Sequence, residues 1–312
     1  MPEIQSAPAV LMVRPACFGF NPQTAGSNAF QQPLGEDSRP GGAQQAAALV
    51  EFDGVAGALR AAGIEVLIAA DTASPVKPDA VFPNNWVSFH GDGTVALYPM
   101  LAANRRLERR EDIVRQVVRE GGFRVSRCVD FTHHEQQGKY LEGTGSLVLD
   151  RVHRVAFACS SPRTDLDVLG DFAQQLDYDL VNFDALDAKG QPIYHTNVLM
   201  AVGSSFAIVC GESMPHAQQR AAVFAKLRDT GHDIVAITPS QMLEFAGNGL
   251  ELAAPGGPLL VLSTTALASL SLEQRMLLES HAALLPVAIP HIEQSGGGGV
   301  RCMLAEIHLP KS

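Results

Sequence analysis

The strongest candidate for chemistry in this sequence is a cysteine that follows a run of four glycines. Cys302 comes three residues after Gly299, the last glycine of that run. Glycine buries no side chain and costs backbone entropy, so the run predicts a tight turn that approaches another group closely. We predict a final strand over the apolar segment 300–309, which would display the thiol where turn meets strand. A thiol in that place is a candidate nucleophile, although a free cysteine can also be a small buried apolar side chain.

A cysteine nucleophile needs a base, because a free thiol is mostly protonated at neutral pH. His195 is the best candidate, since it stands where a loop enters an apolar segment. Glu142 lies between an apolar pair and two glycines, where a carboxylate can orient an imidazole and hold a substrate N–H. Taken alone, a single histidine is more often an ordinary core or surface residue.

Five polar residues of mostly different types recur at nearly constant spacing. The first interval is 63 positions and the next three are 53, 53 and 54, for the series Asp79, Glu142, His195, Asn248 and Cys302. Such spacing predicts that successive repeats each aim one polar group at a common centre. Because residues of different types would occupy equivalent places in the repeats, the site would be asymmetric. Taken alone, Asp79 could be a turn residue or a helix cap.

The elements that would position these residues follow one order, strand, strand, helix, strand, about five times at about 50 residues each. Strands are predicted at 10–14, 64–69, 87–89, 95–97, 124–129, 146–149, 155–158, 179–182, 198–202, 205–209, 233–237, 258–263 and 285–289, and helices at 44–62, 108–120, 165–176, 215–230 and 272–284. The predicted class is α/β, as a single catalytic domain over 1–312. A Rossmann fold competes, but its glycine fingerprint after the first strand is missing.

Charge and composition exclude several kinds of partner. The chain has 312 residues, 46% of them hydrophobic, and a formal net charge of −10. Nucleic acids and anionic membranes need clustered basic residues, so neither is an expected partner. One basic run is interleaved with acidic residues in the pattern of a solvated helix face: Arg105, Arg106, Glu108, Arg109, Arg110, Glu111 and Asp112.

The five cysteines are far apart, odd in number and form no CxxC pair. This disfavours a disulfide framework or structural zinc and indicates a reducing compartment, so we expect the cytoplasm. We expect no signal peptide, because no basic segment precedes a long apolar one at the start. No apolar run reaches the roughly 20 residues that span a bilayer.

Motifs spread over nearly the whole chain resemble those of the guanidino-group modifying superfamily, which includes arginine deiminases, dimethylarginine dimethylaminohydrolases and amidinotransferases. They are the segments 79–82, 141–145, 161–164, 195–197 and 296–302, in the order of that superfamily. The resemblance implies a five-fold pseudo-symmetric α/β propeller (a pentein) of ββαβ units with a Cys-His-Glu active site. The segments 84–86 and 195–197 are most similar to the arginine-deiminase-related branch that includes citrulline-utilisation hydrolases.

The resemblance also implies roles. Cys302 would attack the central carbon of the head group and form a covalent intermediate. His195 would protonate the departing amine and then deprotonate water. Glu142 would bind a head-group nitrogen and steady His195, and Asp79 would help define the head-group pocket. Arg163 would meet the substrate or support the pocket, or else form a surface ion pair.

Four asparagines complete the predicted substrate-binding residues. Asn84, Asn85, Asn197 and Asn248 are predicted to bind substrate. Arg105 or Arg106 could bind a substrate carboxylate, but a helix surface is the favoured interpretation for both. No metal or cofactor is expected, and the segment 133–135, His-His-Glu, is interpreted as loop polarity because adjacent residues do not share a helix face. Propellers of this kind often self-associate, which makes a homodimer a reasonable expectation. The polar stretch 20–42 is the candidate lid.

The chain departs from the superfamily where additional carboxylates usually face a guanidinium, because Asn85 and Asn197 stand there. A guanidinium only donates hydrogen bonds, whereas a ureido group is neutral and also accepts them. Asparagine suits the ureido group, so we expect a ureido-bearing substrate, with citrulline first and with ornithine, ammonia and carbon dioxide as products. Arginine or an N-substituted arginine is the next alternative, followed by an amidinotransferase and by a propeller that binds a small molecule without catalysis.

Overall fold

Five separate three-stranded sheets make up the β-structure of the computed structural model, which describes residues 3–33 and 42–312. In chain order the strands are β1 Ala9–Arg14, β2 Glu65–Ala70, β3 Val87–Phe89, β4 Thr94–Leu97, β5 Arg127–Asp130, β6 Val148–Asp150, β7 Val155–Cys159, β8 Asp179–Phe183, β9 Met200–Val202, β10 Phe206–Val209, β11 Asp233–Ala236, β12 Leu250–Ala254, β13 Gly257–Ser263, β14 Ala283–Val287 and β15 Ala305–Glu306.

Four of these sheets are built in the same way from three consecutive strands. The first strand pairs antiparallel with the second, and the third, after a helical crossover, pairs parallel with the second, as in β6, β7 and β8. The fifth sheet joins distant parts of the chain, because β1 pairs antiparallel with β15 and parallel with β2. The mixed α/β class and the repeated order of elements agree with the prediction from the sequence.

Helices connect the second and third strands of each sheet, and short helical turns precede many of the first strands. The helices are α1 Pro22–Ala25, α2 Ala43–Ala61, α3 Glu111–Gly121, α4 Gly143–Ser146, α5 Leu166–Leu176, α6 Thr196–Leu199, α7 Ala217–Asp229, α8 Pro239–Leu243, α9 Thr264–Ser269 and α10 Leu272–Glu279. Within the described ranges, no helix is both long enough and apolar enough to cross a membrane.

Local sequence explains why these elements begin and end where they do. Asp165 caps α5, because its side chain accepts hydrogen bonds from the backbone N–H groups of the first turn. The buried residues of α5 follow helical spacing and pack on the sheet beneath. Strand β7 is buried over all five residues, as expected for a central strand with apolar side chains on both faces.

The structure corrects several predicted bounds. Segment 300–309 was predicted to be one strand, but it forms a 3-10 turn over Val300–Met303 and only a two-residue strand, β15. The predicted helix 108–120 is a 3-10 turn, Arg105–Glu108, followed by α3. Helix 272–284 stops at Glu279, so the strand predicted at 285–289 begins two residues earlier. Strand β12 was missed altogether, because its alanines and a buried glutamate do not alternate clearly.

One feature of this architecture positions the candidate site. The segment immediately before the first strand of each sheet carries one residue of the regularly spaced series. Glu142 immediately precedes α4 and β6, His195 precedes α6 and β9, and Cys302 lies in the turn before β15. Helix α4 packs against both α6 and the 3-10 turn Pro83–Asn85, so these leading segments converge.

Candidate active site

The nucleophile candidate is held in a buried turn. Cys302 is 3% exposed, and its N–H donates to the carbonyl oxygen of Gly299 at 3.1 Å. The close approach predicted for the glycine run is present, because a Cβ on Gly299 would lie 2.6 Å from Oδ1 of Asn248. The sulfur accepts hydrogen bonds from Nδ2 of Asn197 and from Nδ2 of Asn248, each at 3.5 Å. Burial raises the pKa of the Cys302 thiol, and the two amides oppose that rise.

His195 and Glu142 form the predicted pair. Nε2 of His195 lies 2.9 Å from Oε2 of Glu142, and both residues are almost completely buried. Burial lowers the pKa of His195 to about 4, although Glu142 acts in the opposite direction. The imidazole is therefore neutral at pH 7. Burial alone would raise the pKa of Glu142, but Arg163, His195 and a second arginine bring it below its ordinary value.

That second arginine is Arg105, and its position corrects the sequence analysis. The basic run was interpreted as a solvated helix face, yet Arg105 is 2% exposed and Glu108 is 3% exposed. Nε and Nη2 of Arg105 donate to the two carboxylate oxygens of Glu108 at 3.0 and 2.9 Å. Nη1 donates to Oδ1 of Asn85 at 2.7 Å, and Asp79 lies 3.6 Å away. The prediction failed for these two residues because they lie in a 3-10 turn and face inward, whereas Glu111 and Asp112 are exposed at the start of α3, as predicted.

Arg163 also belongs to the interior. It is 2% exposed, so the surface ion pair considered for it is wrong. Its Nη1 donates to Oε2 of Glu142 at 3.3 Å, and its guanidinium carbon lies 5.0 Å from the ring centre of Tyr194. Its remaining N–H groups donate to the hydroxyl of Ser27 and to the carbonyl oxygen of Thr24.

Asp79 is buried beside the same groups. Oδ2 of Asp79 accepts from Nδ2 of Asn21 at 2.7 Å, and Arg105 approaches the same oxygen. Oδ1 of Asp79 has no hydrogen-bond partner among the described residues. Burial raises the pKa of Asp79, and Arg105 and Asn21 oppose the rise. One carboxylate oxygen thus remains free for a ligand.

A cavity of about 10 Å³ connects these side chains, which is space for about one water molecule. Its lining comprises Asn28, Asp79, Phe82, Asn85, Arg105, Arg163, Tyr194, His195, Gly296, Gly297, Gly298 and Cys302. The segment 21–32, called the cover segment below, contributes Asn28 and contacts Asp79 and Arg163. The predicted lid, 20–42, includes it, but residues 34–41 lie outside the described part of the chain. That this segment is the lid stays a prediction.

The four asparagines that were predicted to bind substrate differ in where they lie: one lines the cavity, one lies behind it and two contact the sulfur. Asn85 lines the cavity, whereas Asn84 lies behind it and accepts a hydrogen bond from Nδ2 of Asn85 at 3.0 Å. Asn197 and Asn248 contact the sulfur instead of the open cavity. Asn197 also has a free oxygen, because Oδ1 has no partner among the described residues. All four are buried.

Sequence reasoning missed several residues of this site: Asn21, Asn28, Glu108 and Tyr194. The hydroxyl of Tyr194 donates to the carbonyl oxygen of Gly297 at 2.5 Å and fixes the glycine run. Its adjacency to His195 was the one signal that could have found it. Asn21 and Asn28 reach the site only through the fold of the cover segment, so no local pattern marks them.

Outside this site, His133 and His134, which were interpreted as loop polarity, lie side by side. Their ring centres are 4.2 Å apart, and with Asp171 they place three donor atoms within 4.8 Å of one another. However, Nε2 of His134 already pairs with Oδ2 of Asp171 at 2.9 Å, and Nδ1 of the exposed His133 pairs with the carbonyl oxygen of Asp130 at 3.0 Å. These residues therefore carry no metal assignment.

Comparisons with known proteins agree with this arrangement. Residues 14–309 match the family model described as "N,N dimethylarginine dimethylhydrolase, eukaryotic". A search of curated proteins finds no match.

Similar solved structures include the apo structure of ArgZ, an arginine dihydrolase from the ornithine-ammonia cycle in cyanobacteria. Its TM-score is 0.72 at 17% identity, over 97% of this chain but 41% of that one. The N-terminal domain of ArgZ, as a variant bound to substrate, gives 0.71 at 18% identity over 96% of this chain and 99% of that one. A dimethylarginine dimethylaminohydrolase variant, as an adduct with S-methyl-L-thiocitrulline, gives 0.65 at 14% identity over 96% and 99%. The chain thus spans about two fifths of full-length ArgZ, and these likenesses establish the fold.

Proposed function

The chain belongs to the N,N-dimethylarginine dimethylhydrolase family, whose members are hydrolases of C–N bonds, and from that premise we propose that it hydrolyses citrulline. The products would be ornithine, ammonia and carbon dioxide, with one water consumed. Cys302 is the proposed nucleophile, His195 the acid and base, and Glu142 the residue that orients His195.

The observation that carries this proposal is the amide environment of the sulfur. Asn85 is the asparagine that lines the cavity, and Asn197, which adjoins the cavity through the sulfur, donates to Sγ of Cys302 and keeps Oδ1 free. A ureido group presents a carbonyl oxygen as well as N–H groups, so an asparagine can both donate to it and accept from it. A guanidinium offers only N–H donors, and a second carboxylate at this position would suit it better.

Proton transfer in the proposed reaction starts from a neutral imidazole. Because the pKa of His195 is about 4, the ring is free to take the proton of the Cys302 thiol as the sulfur attacks the ureido carbon. His195 then gives that proton to the departing amine, which leaves a thiocarbamate on Cys302. The imidazole next removes a proton from water, whose attack releases the second product as a carbamate that loses carbon dioxide.

Arg163 is the proposed ligand of the substrate carboxylate. Two of its partners, the Ser27 hydroxyl and the Thr24 carbonyl oxygen, belong to the cover segment. A carboxylate that enters the cavity can replace these neutral acceptors with a charged one, which a guanidinium binds more strongly. Arg105 is less available, because Glu108 and Asn85 already occupy its N–H groups.

Arginine is the second candidate, and the unpartnered Oδ1 of Asp79 favours it. With Asp79 and Glu108 ionised, the buried charges around the cavity are three carboxylates, these two and Glu142, against the guanidiniums of Arg105 and Arg163. Burial raises the pKa of Glu108 to about 7, and Arg105 opposes that rise. A cationic head group would balance that set, whereas a ureido group requires a protonated Asp79. Burial raises the pKa of Asp79, which supports the second state and therefore citrulline.

The test is to measure ornithine, citrulline and ammonia released from citrulline, arginine and N,N-dimethylarginine in parallel. Wild type is compared with Cys302→Ala and with Cys128→Ser, a matched change at an exposed cysteine. We expect ornithine from citrulline in wild type and Cys128→Ser, and none in Cys302→Ala. Release of citrulline or ornithine from arginine, or of citrulline from dimethylarginine, could instead be faster than release of ornithine from citrulline. That result would change the proposed substrate and leave Cys302 as the proposed nucleophile.

We also propose that the five sheets are blades of a five-fold pseudo-symmetric propeller that forms a single domain over 1–312. The pairing of β15 with β1, which joins the two ends of the described chain, supports this arrangement. A cytoplasmic location is proposed from the five cysteines, all of which are free. Assembly as a homodimer stays a prediction.

A further inference from the structure

The sulfur of Cys302 is held between two amide groups that come from different repeats. Asn197 lies in the turn before β9, and Asn248 lies just before β12. Each presents Nδ2 to the sulfur at 3.5 Å, and both residues are 1% exposed. The thiol also donates to Oδ1 of Asn248 at 3.8 Å, so every side-chain hydrogen bond of this sulfur in the described structure is made with a neutral amide.

The orientation of the Asn248 amide is fixed by its other partners. Oδ1 accepts from the backbone N–H of Arg301 at 3.1 Å, and Nδ2 also donates to the carbonyl oxygen of Asn197 at 2.7 Å. Reversing the amide would turn both of these contacts into mismatched pairs. Asn248 therefore ties the turn that carries Cys302 to the turn that carries Asn197, with its N–H directed at the sulfur.

We propose that Asn197 and Asn248 form an amide cradle that positions the sulfur of Cys302 and stabilises it as a thiolate. This inference rests on the proposed function in one respect, which is that Cys302 is the nucleophile. It assigns Asn197 a second task besides selection of the head group, and it makes Asn248 a positioning residue instead of a substrate ligand.

The physical reason lies in the charge that forms on a buried sulfur. An anion removed from water needs donors or cations in contact, and two N–H groups supply them without adding a titratable group. A carboxylate at position 197 would instead repel the thiolate. The same asparagine that suits a neutral ureido group therefore also makes the nucleophile easier to ionise, whereas an aspartate would oppose both.

Other charged or titratable groups surround the sulfur. Five of them share its cavity: Asp79, Arg105, Arg163, Tyr194 and His195. Glu142 contacts His195, and Arg301 adjoins Cys302 and favours its thiolate form. The variants that test the cradle leave all of these in place, so a change in ionisation can be attributed to the amides.

Asn197→Ala is the sharpest test, because among the described residues the side chain of Asn197 has no hydrogen-bond partner other than the sulfur. The ionisation of Cys302 is measured in the free protein from the ultraviolet absorption of the thiolate, as the difference between each protein and its Cys302→Ser counterpart. We expect the midpoint to rise by about one to two pH units, the range for loss of a hydrogen bond to a charged group. Asn182→Ala, a part-buried asparagine whose side chain donates elsewhere, should leave the midpoint unchanged.

Asn248→Asp is the second variant, since it keeps the acceptor for Arg301 and replaces the donor with a carboxylate. Its midpoint should rise at least as far as that of Asn197→Ala. Alkylation by chloroacetamidine gives a second readout, because trypsin releases Cys302 in the peptide 302–311 and Cys128 in the peptide 128–139. The pH profile should move for the first peptide and stay fixed for the second, an internal control at an exposed cysteine.

An unchanged midpoint in both variants, with folded protein by circular dichroism, would overturn the cradle. If citrulline turnover then fell in Asn197→Ala, Asn197 would act on substrate alone and the proposed function would survive. A shifted midpoint in a protein that turns over none of the three substrates would support the cradle and refute the proposed function. Because the titration uses no substrate, the two failures can be told apart.

Discussion

Replacing Glu108 with glutamine tests whether the buried ion pair beneath the site contributes to stability and to substrate binding. Glu108 holds two N–H groups of Arg105 at 3.0 and 2.9 Å, and neither side chain reaches solvent. Removing one partner of a buried pair costs about 3–5 kcal/mol when the other charge is left alone. Arg105 keeps Asn85 at 2.7 Å and Asp79 at 3.6 Å, so the cost should be lower.

We therefore expect Glu108→Gln to lower the free energy of unfolding by about 2–3 kcal/mol, as measured by equilibrium unfolding in urea. The matched control is Glu111→Gln, which breaks an exposed pair with Arg115 that is 83% and 69% exposed, respectively. That pair should contribute less than about 1 kcal/mol. The KM for citrulline should also rise in Glu108→Gln, because Arg105 loses the carboxylate that orients it. Equal unfolding midpoints for the two variants would refute the reasoning about the buried pair.

Three further predictions concern the site. On the acid side of the pH–rate profile, kcat/KM for citrulline should fall with a midpoint near pH 4, below the ordinary pKa of histidine. The reason is that burial lowers the pKa of His195 to about 4 and only the neutral ring accepts a proton. A midpoint at or above pH 6 would contradict this. Asp79→Asn should retain most citrulline turnover and lose at least tenfold in kcat/KM for any arginine turnover, since it removes the charge that pairs a guanidinium; equal losses for both substrates would argue against the charge balance. Arg163→Lys should raise the KM for citrulline about tenfold or more, with a smaller change in kcat. Lysine keeps the positive charge but lacks the planar guanidinium that binds a carboxylate with two N–H groups. An unchanged KM would exclude Arg163 as the carboxylate ligand.

The lowered pKa of His195 also predicts how the free energy of unfolding depends on pH, and proton uptake on unfolding gives the sign of that dependence. His195 binds its proton less readily in the folded protein than in the unfolded chain, so unfolding takes up protons between about pH 4 and pH 6.5. Stability from this residue is complete above that window and is lost as the pH falls through it. With a shift of this size the loss is on the order of 3 kcal/mol.

Much of the architecture was predictable because local sequence patterns determine where its strands and helices lie. Central strands such as β7 are apolar on both faces, and α5 carries its own cap and apolar stripe, so the repeat order could be read from the sequence. Glu142, His195 and Cys302 could be grouped because repeats place equivalent residues at a common centre. The structure does bring His195 to Glu142 and encloses His195 and Cys302 in one cavity.

The remainder depended on contacts between distant segments. A run of interleaved basic and acidic residues looks the same in the sequence whether its side chains are exposed or buried. The burial of Arg105 and Glu108 could therefore not be predicted. The apolar segment after the glycine run was long enough for a full strand, but only two residues find a partner in β1. Nothing local marks Asn21 as a partner of Asp79, because the fold alone joins them.

The most direct test of the central claim is to trap the covalent intermediate. Wild-type protein is mixed with citrulline, quenched in acid within one turnover and digested with trypsin for mass spectrometry. The account predicts a thiocarbamate adduct on the peptide 302–311, absent from Cys302→Ala and from every other cysteine peptide. Citrulline turnover that continues in Cys302→Ala, or an adduct on a different cysteine, would contradict it.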